Sequence, residues 1–463
     1  MSRLLLVVCL FVLSGGCSRR AAPEPTAPEP EPEPNVVARP AALPKNDDSK
    51  VDPLAENRVA STVKIYGGTI SRDESVPGKP VTAVDLNGLK VALSDQDFLD
   101  IGRLKAITSL DIGKNKLTKA GLKNLAKLKT LTSLTLNDSN LTDAGLKELA
   151  PLTNLTYLDL SHNHITDMAL KELAPFTRLT SLNLGSTEVT DAGLKELAPL
   201  RSLTSLTINT DVSDHTLASL REANLLHALI LATALDGSRP NTPEEVTSLN
   251  LKFTQVTGKG LKDLTPLKNL ARLDLTFTPV TDTGLKELAP FKNLTSLILT
   301  DLNISDQTVA ILREINLLHT LKGATGPKGL RPTSPDDVIS FDLRGTKATD
   351  AGVKELTIFK NLTTLNLAFT EMADAGLKEL APLKNLTTLY LGRSKVTDAG
   401  LKELAAFKML AVLTLNDTAV TDAGLKELAA LTNLKSIILT RTEVTDAGVE
   451  RLHVALPDCK IER

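Results

Sequence analysis

The sequence predicts a right-handed α/β solenoid, a horseshoe with a parallel sheet on its concave side and helices on its convex side. Three observations predict this fold class. Hydrophobic residues recur at a constant step of 24 along much of the chain. Each step contains an L-x-x-L-x-L strand pattern, a polar turn and a short helical pattern. Aromatic residues make up only 3% of the 463 residues and Trp is absent, which suits a core of repeated leucines.

The repeat unit is clearest in residues 131–154, LTSLTLNDSNLTDAGLKELAPLTN. Leu134 and Leu136 alternate along a short strand and therefore face the same side of it. Thr142 or Asp143 is the predicted N-cap of a helix whose leucines share one face. A single unit has nothing against which to bury its leucines, so it requires neighbours of the same kind.

Those neighbours are present along most of the chain. The first hydrophobic residue of the unit recurs at Ile107, Leu131, Leu155, Leu179, Leu203, Leu270, Leu294, Leu362, Leu386, Leu410 and Leu434. Many of these repeat units also contain an Asp-x-Gly motif, at Asp143/Gly145, Asp191/Gly193, Asp282/Gly284, Asp350/Gly352, Asp398/Gly400, Asp422/Gly424 and Asp446/Gly448. Over about residues 81–463 the chain resembles leucine-rich repeat proteins, nearest the helix-bearing type of ribonuclease inhibitor and bacterial secreted repeat proteins. The resemblance implies the fold and says little about which molecule is bound.

The start of the chain carries a predicted targeting segment. Arg3, an apolar run and small residues precede Cys17, and residues 1–17 thus resemble a bacterial lipoprotein signal peptide with Cys17 as the lipidated residue. That family usually has Leu three places before the Cys, where this chain has Ser14, so secretion and an uncleaved anchor stay open. Residues 18–51 are rich in Pro and Glu, which predicts a disordered, extended tether.

The remaining residues divide into an N-terminal cap at 52–80, the repeat array at 81–451 and a C-terminal cap at 452–463. Each cap is expected to cover one end of the solenoid. Cys459, in the second cap, is expected to be a small buried residue rather than a nucleophile.

The array contains a second, longer period. Residues 213–229 are echoed by residues 305–321, and 305 − 213 gives a separation of 92. Each copy is followed by an irregular rung without a convincing helix, near 226–245 and 318–337. Because packed helices need more room than paired strands, a rung without a helix should locally flatten or kink the arc.

Composition and motifs argue against several function classes. The net charge is −2 and there is no basic stripe, which disfavours nucleic-acid binding. No phosphate-binding glycine loop, Ser-His-Asp arrangement or zinc motif occurs, and His162-Asn163-His164 lacks a third ligand by spacing. The Thr-Asp pairs resemble acid–base dyads, but they repeat on nearly every rung and are therefore structural. The sequence thus predicts no enzyme, no cofactor and no metal site.

Candidate binding residues lie where large side chains interrupt the small polar residues of the concave face. Aromatic and arginine side chains are the types that form binding hot spots. Three groups stand out: Tyr157, Asp159 and His162; Lys252, Phe253, Arg272, Asp274 and Phe277; and Phe369, Tyr390 and Arg393. Phe253 and Phe277 hold equivalent places on adjacent rungs, so we expect them to form one apolar patch. The alternative is that each is a tolerated exposed side chain.

Together these observations predict a monomeric, non-catalytic binding scaffold of the cell envelope that recognises a protein or a glycan. It would be lipid-anchored through Cys17 at the outer membrane or the periplasmic face, or else secreted. One alternative is an inhibitor or regulator that wraps a specific periplasmic enzyme, and another is a purely structural envelope component.

Overall fold

Each rung of the chain is a strand, a turn and a helical segment, as the 24-residue pattern predicts. The computed structural model describes residues 53–87, 93–208, 212–300 and 304–463. These residues all belong to one compact unit, Asn46–Arg463. The predicted signal peptide, the tether (residues 18–51) and Cys17 lie outside the described residues.

The strands form three sheets that follow the order of the chain. The first contains β1 (Thr69–Arg72), β2 (Val81–Asp85), β3 (Ser109–Asp111), β4 (Ser133–Thr135), β5 (Tyr157–Asp159), β6 (Ser181–Asn183) and β7 (Ser205–Thr207). The second contains β8 (Ala232–Thr233), β9 (Ser248–Asn250), β10 (Arg272–Asp274) and β11 (Ser296–Ile298). The third contains β12 (Ala324–Thr325), β13 (Ser340–Asp342), β14 (Thr364–Asn366), β15 (Thr388–Tyr390), β16 (Val412–Thr414), β17 (Ser436–Ile438) and β18 (Lys460–Glu462).

Parallel pairing dominates all three sheets. The first strand of each sheet is antiparallel to the second, and every other pair is parallel. The parallel register is fixed by the repeat, so Leu134 pairs with Leu110 on one side and Leu158 on the other. The predicted parallel sheet is therefore confirmed, and the antiparallel strands β8 and β12 are additions that the sequence pattern did not predict.

The helical segments occupy the other side of each rung. The α-helices are α1 (Pro53–Tyr66), α2 (Asp95–Ile101), α3 (Lys119–Leu125), α4 (Asp143–Glu148), α5 (Asp167–Leu170), α6 (Asp214–Glu222), α7 (Gly258–Leu261), α8 (Asp306–Glu314), α9 (Asp350–Lys354), α10 (Asp374–Glu379), α11 (Asp398–Leu401), α12 (Asp422–Leu425) and α13 (Asp446–Ala455). In two of the regular rungs that the structure describes, the helical segment is a 3-10 helix throughout, at Asp191–Leu197 and Asp282–Leu288. No helix in the described ranges is both long and apolar enough to cross a membrane.

A single hydrophobic core runs between the strands and the helices. It extends from Val59 to Cys459 and includes the strand leucines, such as Leu134 and Leu158, which are fully buried. Cys459 lies in this core as predicted, and burial raises the pKa of its thiol. The predicted boundary of the C-terminal cap, residue 452, falls inside α13.

The first helix is attached to the first rung by a buried carboxylate. Glu56 of α1 is 3% exposed, and its Oε2 accepts hydrogen bonds from the Val81 N–H at 2.8 Å and Arg72 Nη1 at 3.2 Å. Hydrogen bonds to charged groups are among the stronger ones in proteins, so Glu56 fixes the N-terminal cap to β2.

The Thr-Asp-x-Gly motif joins successive rungs. The carboxylate of Asp167 accepts hydrogen bonds from the N–H and the hydroxyl of Thr190 on the next rung, at 2.7 and 2.6 Å. A Cβ atom on Gly193 would collide with Asp167 Oδ1. The threonine therefore begins a helical segment, the aspartate holds the next threonine, and the glycine leaves room for the preceding aspartate.

Two junctions interrupt the sheet but not the helical side. The first junction (residues 226–246) and the second junction (residues 318–338) are the irregular rungs of the duplication. At the first, Leu229 forms a single parallel bridge with Leu206 before β8 turns back against β9. On the helical side Ser213 bridges directly to Gln255, without an intervening rung. An extra layer on the sheet side alone favours the local flattening that the sequence predicts.

Candidate binding site on the sheet face

The residue two places after the last strand leucine adopts a left-handed backbone on most rungs. These residues, here called the turn column, are Lys114, Asp138, His162, Ser186, Phe253, Phe277, Phe369, Arg393, Asp417 and Arg441. Their φ angles lie between 52° and 62°. Left-handed backbone costs a residue with a Cβ about 1–2 kcal/mol, and it is unusual for bulky side chains. Three phenylalanines in this column are therefore unusual.

Phe253 and Phe277 form a stacked pair of exposed rings. Their centroids lie 5.0 Å apart and the ring planes differ by 6°. The Nζ atom of Lys252 lies 4.8 Å from the Phe253 centroid and 5.9 Å from that of Phe277. The two rings are 62% and 57% exposed. We call these three side chains the phenylalanine platform, and its two rings lie together as the register predicts.

The platform contributes little to folding. Stacking of two aromatic rings is worth about 0.5–1.5 kcal/mol, and an exposed cation over a ring about 0.5–1 kcal/mol. These gains are similar in size to the backbone cost of two left-handed phenylalanines, about 1–2 kcal/mol each. Folding stability therefore does not explain why two exposed phenylalanines occupy these turns.

Arg272 and Asp274, on β10, differ in what they can offer a partner. The side chain of Arg272 is exposed on a strand flanked by Ser248 and Ser296. The Oδ1 atom of Asp274 accepts hydrogen bonds from the Thr276 N–H at 2.9 Å and the Thr276 hydroxyl at 2.5 Å. Asp274 therefore holds the turn that carries Phe277, an internal role that its sequence position did not reveal.

The group around Tyr157 is held together only in part. Tyr157 is 37% exposed on β5, and its hydroxyl bonds to Asp159. Burial raises the pKa of Tyr157, and the charges of Asp159 and Asp111 add to the effect. Asp159 also accepts hydrogen bonds from Ser161 at 2.6 Å and Asn183 at 3.0 Å. His162 lies in the turn column, and no hydrogen bond or ring contact within the described part of the chain joins it to Tyr157.

The neighbouring polar residues have structural partners. Asn163 Oδ1 accepts hydrogen bonds from the N–H groups of Ser139 and Leu141, at 3.0 and 2.8 Å. His164 Nδ1 lies 3.0 Å from Glu188 Oε1. Over the four described ranges, no three His, Cys, Asp or Glu side chains are grouped as a metal site would require.

The third group is centred on Phe369. Its ring has the Arg393 guanidinium at 5.0 Å and that of Arg344 at 5.2 Å from its centroid. Arg393 Nε also lies 3.4 Å from Asp417 Oδ2. Tyr390 is half-buried on β15, and no ring contact or hydrogen bond among the described residues joins its side chain to Phe369. Arg344 is a residue that the sequence prediction missed, although the 92-residue echo aligns it with Lys252.

Solved structures that match the chain come from bacteria and from a plant. They include an internalin from Listeria monocytogenes (20% identity, 89% of this chain and 94% of that chain, TM-score 0.35). A leucine-rich repeat protein from Leptospira interrogans is 24% identical over 82% of this chain and 95% of its own, with a TM-score of 0.39. The Arabidopsis receptor kinase HAESA ectodomain, solved with a peptide hormone ligand, is 15% identical over 84% and 82%, with a TM-score of 0.36.

Models of the leucine-rich repeat family match five segments of the chain. One family model matches residues 105–165, and a second matches residues 177–198, 267–289, 360–381 and 383–405. No curated protein matches the chain. The matched segments fall within the rungs described above and share their strand, turn and helix order. The chain is a leucine-rich repeat protein.

Proposed function

We propose that this protein is a non-catalytic scaffold that captures a protein partner on its sheet face, with the phenylalanine platform at the centre of the contact. Leucine-rich repeat solenoids present extended concave surfaces for binding. The observation that carries the choice of site is the Phe253–Phe277 stack, whose two rings remain mostly exposed. Aromatic residues, Phe among them, are enriched at the cores of protein interfaces.

The platform is suited to bind without reorganisation. Each of its turns follows a strand that pairs on both sides, as β10 pairs with β9 and β11. The turn before Phe277 is further fixed by Asp274. A surface that is already ordered loses little conformational entropy on binding, so more of the contact energy appears as affinity. The complementary partner surface is apolar with acidic groups at its edge, facing Lys252 and Arg272.

We also propose that the scaffold is attached to the cell envelope by lipidation of Cys17. The proposal is supported by the signal-like residues 1–17 and the Pro/Glu-rich residues 18–51. Full-length protein should partition into detergent and incorporate a palmitate analogue, whereas Cys17→Ser should be released from membranes. Recovery of the wild-type protein entirely in the soluble fraction would refute the anchor without affecting the binding proposal.

Site-specific crosslinking tests the binding proposal. A photoreactive phenylalanine is placed at Phe253, and in the matched control at Met168, an exposed apolar residue (72%) of α5 on the helical side. In native cells and their medium, position 253 should crosslink to one protein at a constant ratio and position 168 should not. A protein captured equally from both positions, or from neither, would contradict the proposed site. A single enzyme as the captured protein would identify the scaffold as that enzyme's regulator.

A further inference from the structure

The second junction contains an open cleft on the sheet face. Its volume is about 590 Å³, and its lining includes Leu321, Lys322, Asp342, Arg344 and Phe369. The cleft exists because two rungs diverge there. On the helical side the Lys347 N–H donates directly to the Ile304 carbonyl at 2.9 Å, whereas on the strand side residues 321–325 lie between β11 and β13.

The internal duplication allows this cleft to be compared with the first junction, 92 residues earlier. The backbone framework is the same in both copies: Arg239 and Arg331 each donate to carbonyls of their own junction, and Thr254 and Thr346 each donate to the carbonyl of a strand leucine. The side chains around the opening differ. Ile230, Leu231, Lys252, Phe253 and Phe277 of the first copy correspond to Lys322, Gly323, Arg344, Gly345 and Phe369 of the second.

Two of these differences replace a large side chain by glycine, and only Gly345 leaves open space. Gly345 stands where Phe253 stands in the first copy, and a Cβ built on Gly345 would meet no atom within 4 Å. Gly323 replaces Leu231, and a Cβ there would collide with the Asp342 carbonyl, so this glycine is closely packed and adds no open space. The second junction therefore retains the ring that Phe253 stacks against, as Phe369, but lacks the stacking ring itself.

The charges around the opening also differ between the copies. Among the lining residues of the cleft, Lys322 and Arg344 are basic and Asp342 is acidic. The Asp342 Oδ1 atom accepts a hydrogen bond from the Arg344 N–H at 2.9 Å, so one oxygen of this carboxylate already has a partner within the protein. Neither Lys322 nor Arg344 forms an ion pair with any carboxylate in the four described ranges. The cleft is therefore complementary to an anionic group.

We propose that the second-junction cleft binds an aromatic side chain of a peptide whose neighbouring residues are acidic. The bound ring would stack on Phe369 in the manner of Phe253 on Phe277. The Arg344 guanidinium lies over Phe369 in the free protein and would move onto the bound ring of the peptide. It would then hold the position over that ring that Lys252 holds over Phe253. Lys322 would meet an adjacent carboxylate.

The test uses a defined probe, the peptide acetyl-Asp-Phe-Asp-amide, with the full-length protein and saturation-transfer NMR. The peptide should bind at about 1 mM or below. The variant Gly345→Phe supplies the missing ring, and it should weaken binding by roughly tenfold or more. It is expected to fold, because Phe253 already occupies the equivalent turn with a φ of 62°. Arg344→Glu, which leaves the space open but reverses a charge, should weaken binding by a similar factor and serves if Gly345→Phe does not fold.

Three control probes and one control protein make the outcome decisive. Acetyl-Asp-Ala-Asp-amide, acetyl-Lys-Phe-Lys-amide and free phenylalanine should each bind at least about tenfold more weakly than the acidic aromatic peptide. Met168→Ala, on the helical side, should leave the peptide affinity unchanged. Gly345→Phe and Arg344→Glu leave the phenylalanine platform intact, so failure here is distinct from failure of that platform. Three results would overturn the proposal. The first is equal peptide affinity in wild type and Gly345→Phe, and the second is no binding at about 1 mM. The third is that the alanine peptide, the lysine peptide or free phenylalanine binds as tightly as the acidic aromatic peptide.

Discussion

The two carboxylate oxygens of Asp398 each accept a hydrogen bond from Thr421 on the next rung, one from its N–H at 2.8 Å and one from its hydroxyl at 2.7 Å. The same hydroxyl accepts a hydrogen bond from the Ala423 N–H at 3.1 Å, which caps α12. The aspartate thus fixes the rotamer of the threonine that begins the neighbouring helix. Equivalent pairs join Asp143 to Thr166, Asp167 to Thr190, Asp374 to Thr397 and Asp422 to Thr445.

Removing the charge of Asp398 tests this ladder. Asp398→Asn keeps the side-chain shape but offers Thr421 only one acceptor oxygen, so the free energy of unfolding should fall by about 1–3 kcal/mol. Chemical denaturation followed by circular dichroism measures the change. Glu427→Gln, which removes a charge from an exposed side chain nearby, is the matched control and should stay within about 0.5 kcal/mol of wild type. Equal effects of the two substitutions would mean that the ladder does not stabilise the array.

Among the described rungs, the one that contains Ala373 lacks the hydroxyl of the ladder and can be improved. Ala373 occupies the threonine position before α10, and only its N–H donates to Asp350, at 2.8 Å. Its backbone is extended, with φ −124°, which threonine adopts readily. Ala373→Thr should raise the free energy of unfolding by about 0.5–1.5 kcal/mol through a hydroxyl bond to Asp350 and a helix cap. Combining it with Asp350→Asn should cancel much of the gain; a gain that persists would have another cause.

Two buried histidines predict how stability depends on pH. His227 and His319 are equivalent in the two copies and are 3% and 4% exposed. Burial lowers the pKa of both below the ordinary value of 6.5. Below pH 6.5 the unfolded chain binds protons that the folded chain does not, so the free energy of unfolding should fall as the pH falls from about 7.5 to 5.5. Thermal melts of His227→Leu with His319→Leu should show a flatter dependence, and an unchanged slope would contradict this explanation.

The repeat period made the fold and part of the site predictable. Leu134 and its equivalents fix the strand register, and that register alone places Phe253 beside Phe277. The pattern could not show that Asp274 is used by Thr276, because that bond depends on turn geometry rather than on spacing. The antiparallel strand β12 is two residues long, which is too short to show the hydrophobic alternation typical of a strand.

The 24-residue pattern also does not predict the cleft at the second junction. Gly345 was visible as a glycine, but only the rung geometry shows that the space above it is open. The 92-residue duplication aligns Gly345 with Phe253, and this alignment is the sequence signal that could have indicated the cleft.

If the phenylalanine platform exists for binding, its loss should not unfold the protein. Phe253→Asn removes the stack but places a residue that tolerates left-handed backbone, so the free energy of unfolding should change by no more than about 1 kcal/mol. Leu251→Ala, two residues away and fully buried, is the contrast and should cost about 2–5 kcal/mol. Both are measured by chemical denaturation. A loss above about 2 kcal/mol for Phe253→Asn would make the ring a structural element.

The most direct test of the proposed function is the dissociation constant of the crosslinked partner, once purified, for the wild type and for Phe253→Ala with Phe277→Ala. Truncating a true aromatic anchor typically costs more than about 2 kcal/mol of binding, so the double variant should bind at least roughly tenfold more weakly. Its thermal melt should match that of the wild type, and Met168→Ala should bind normally. Unchanged affinity in the double variant, with loss of binding in Tyr157→Ala or Tyr390→Ala, would place the site on another segment and contradict the account.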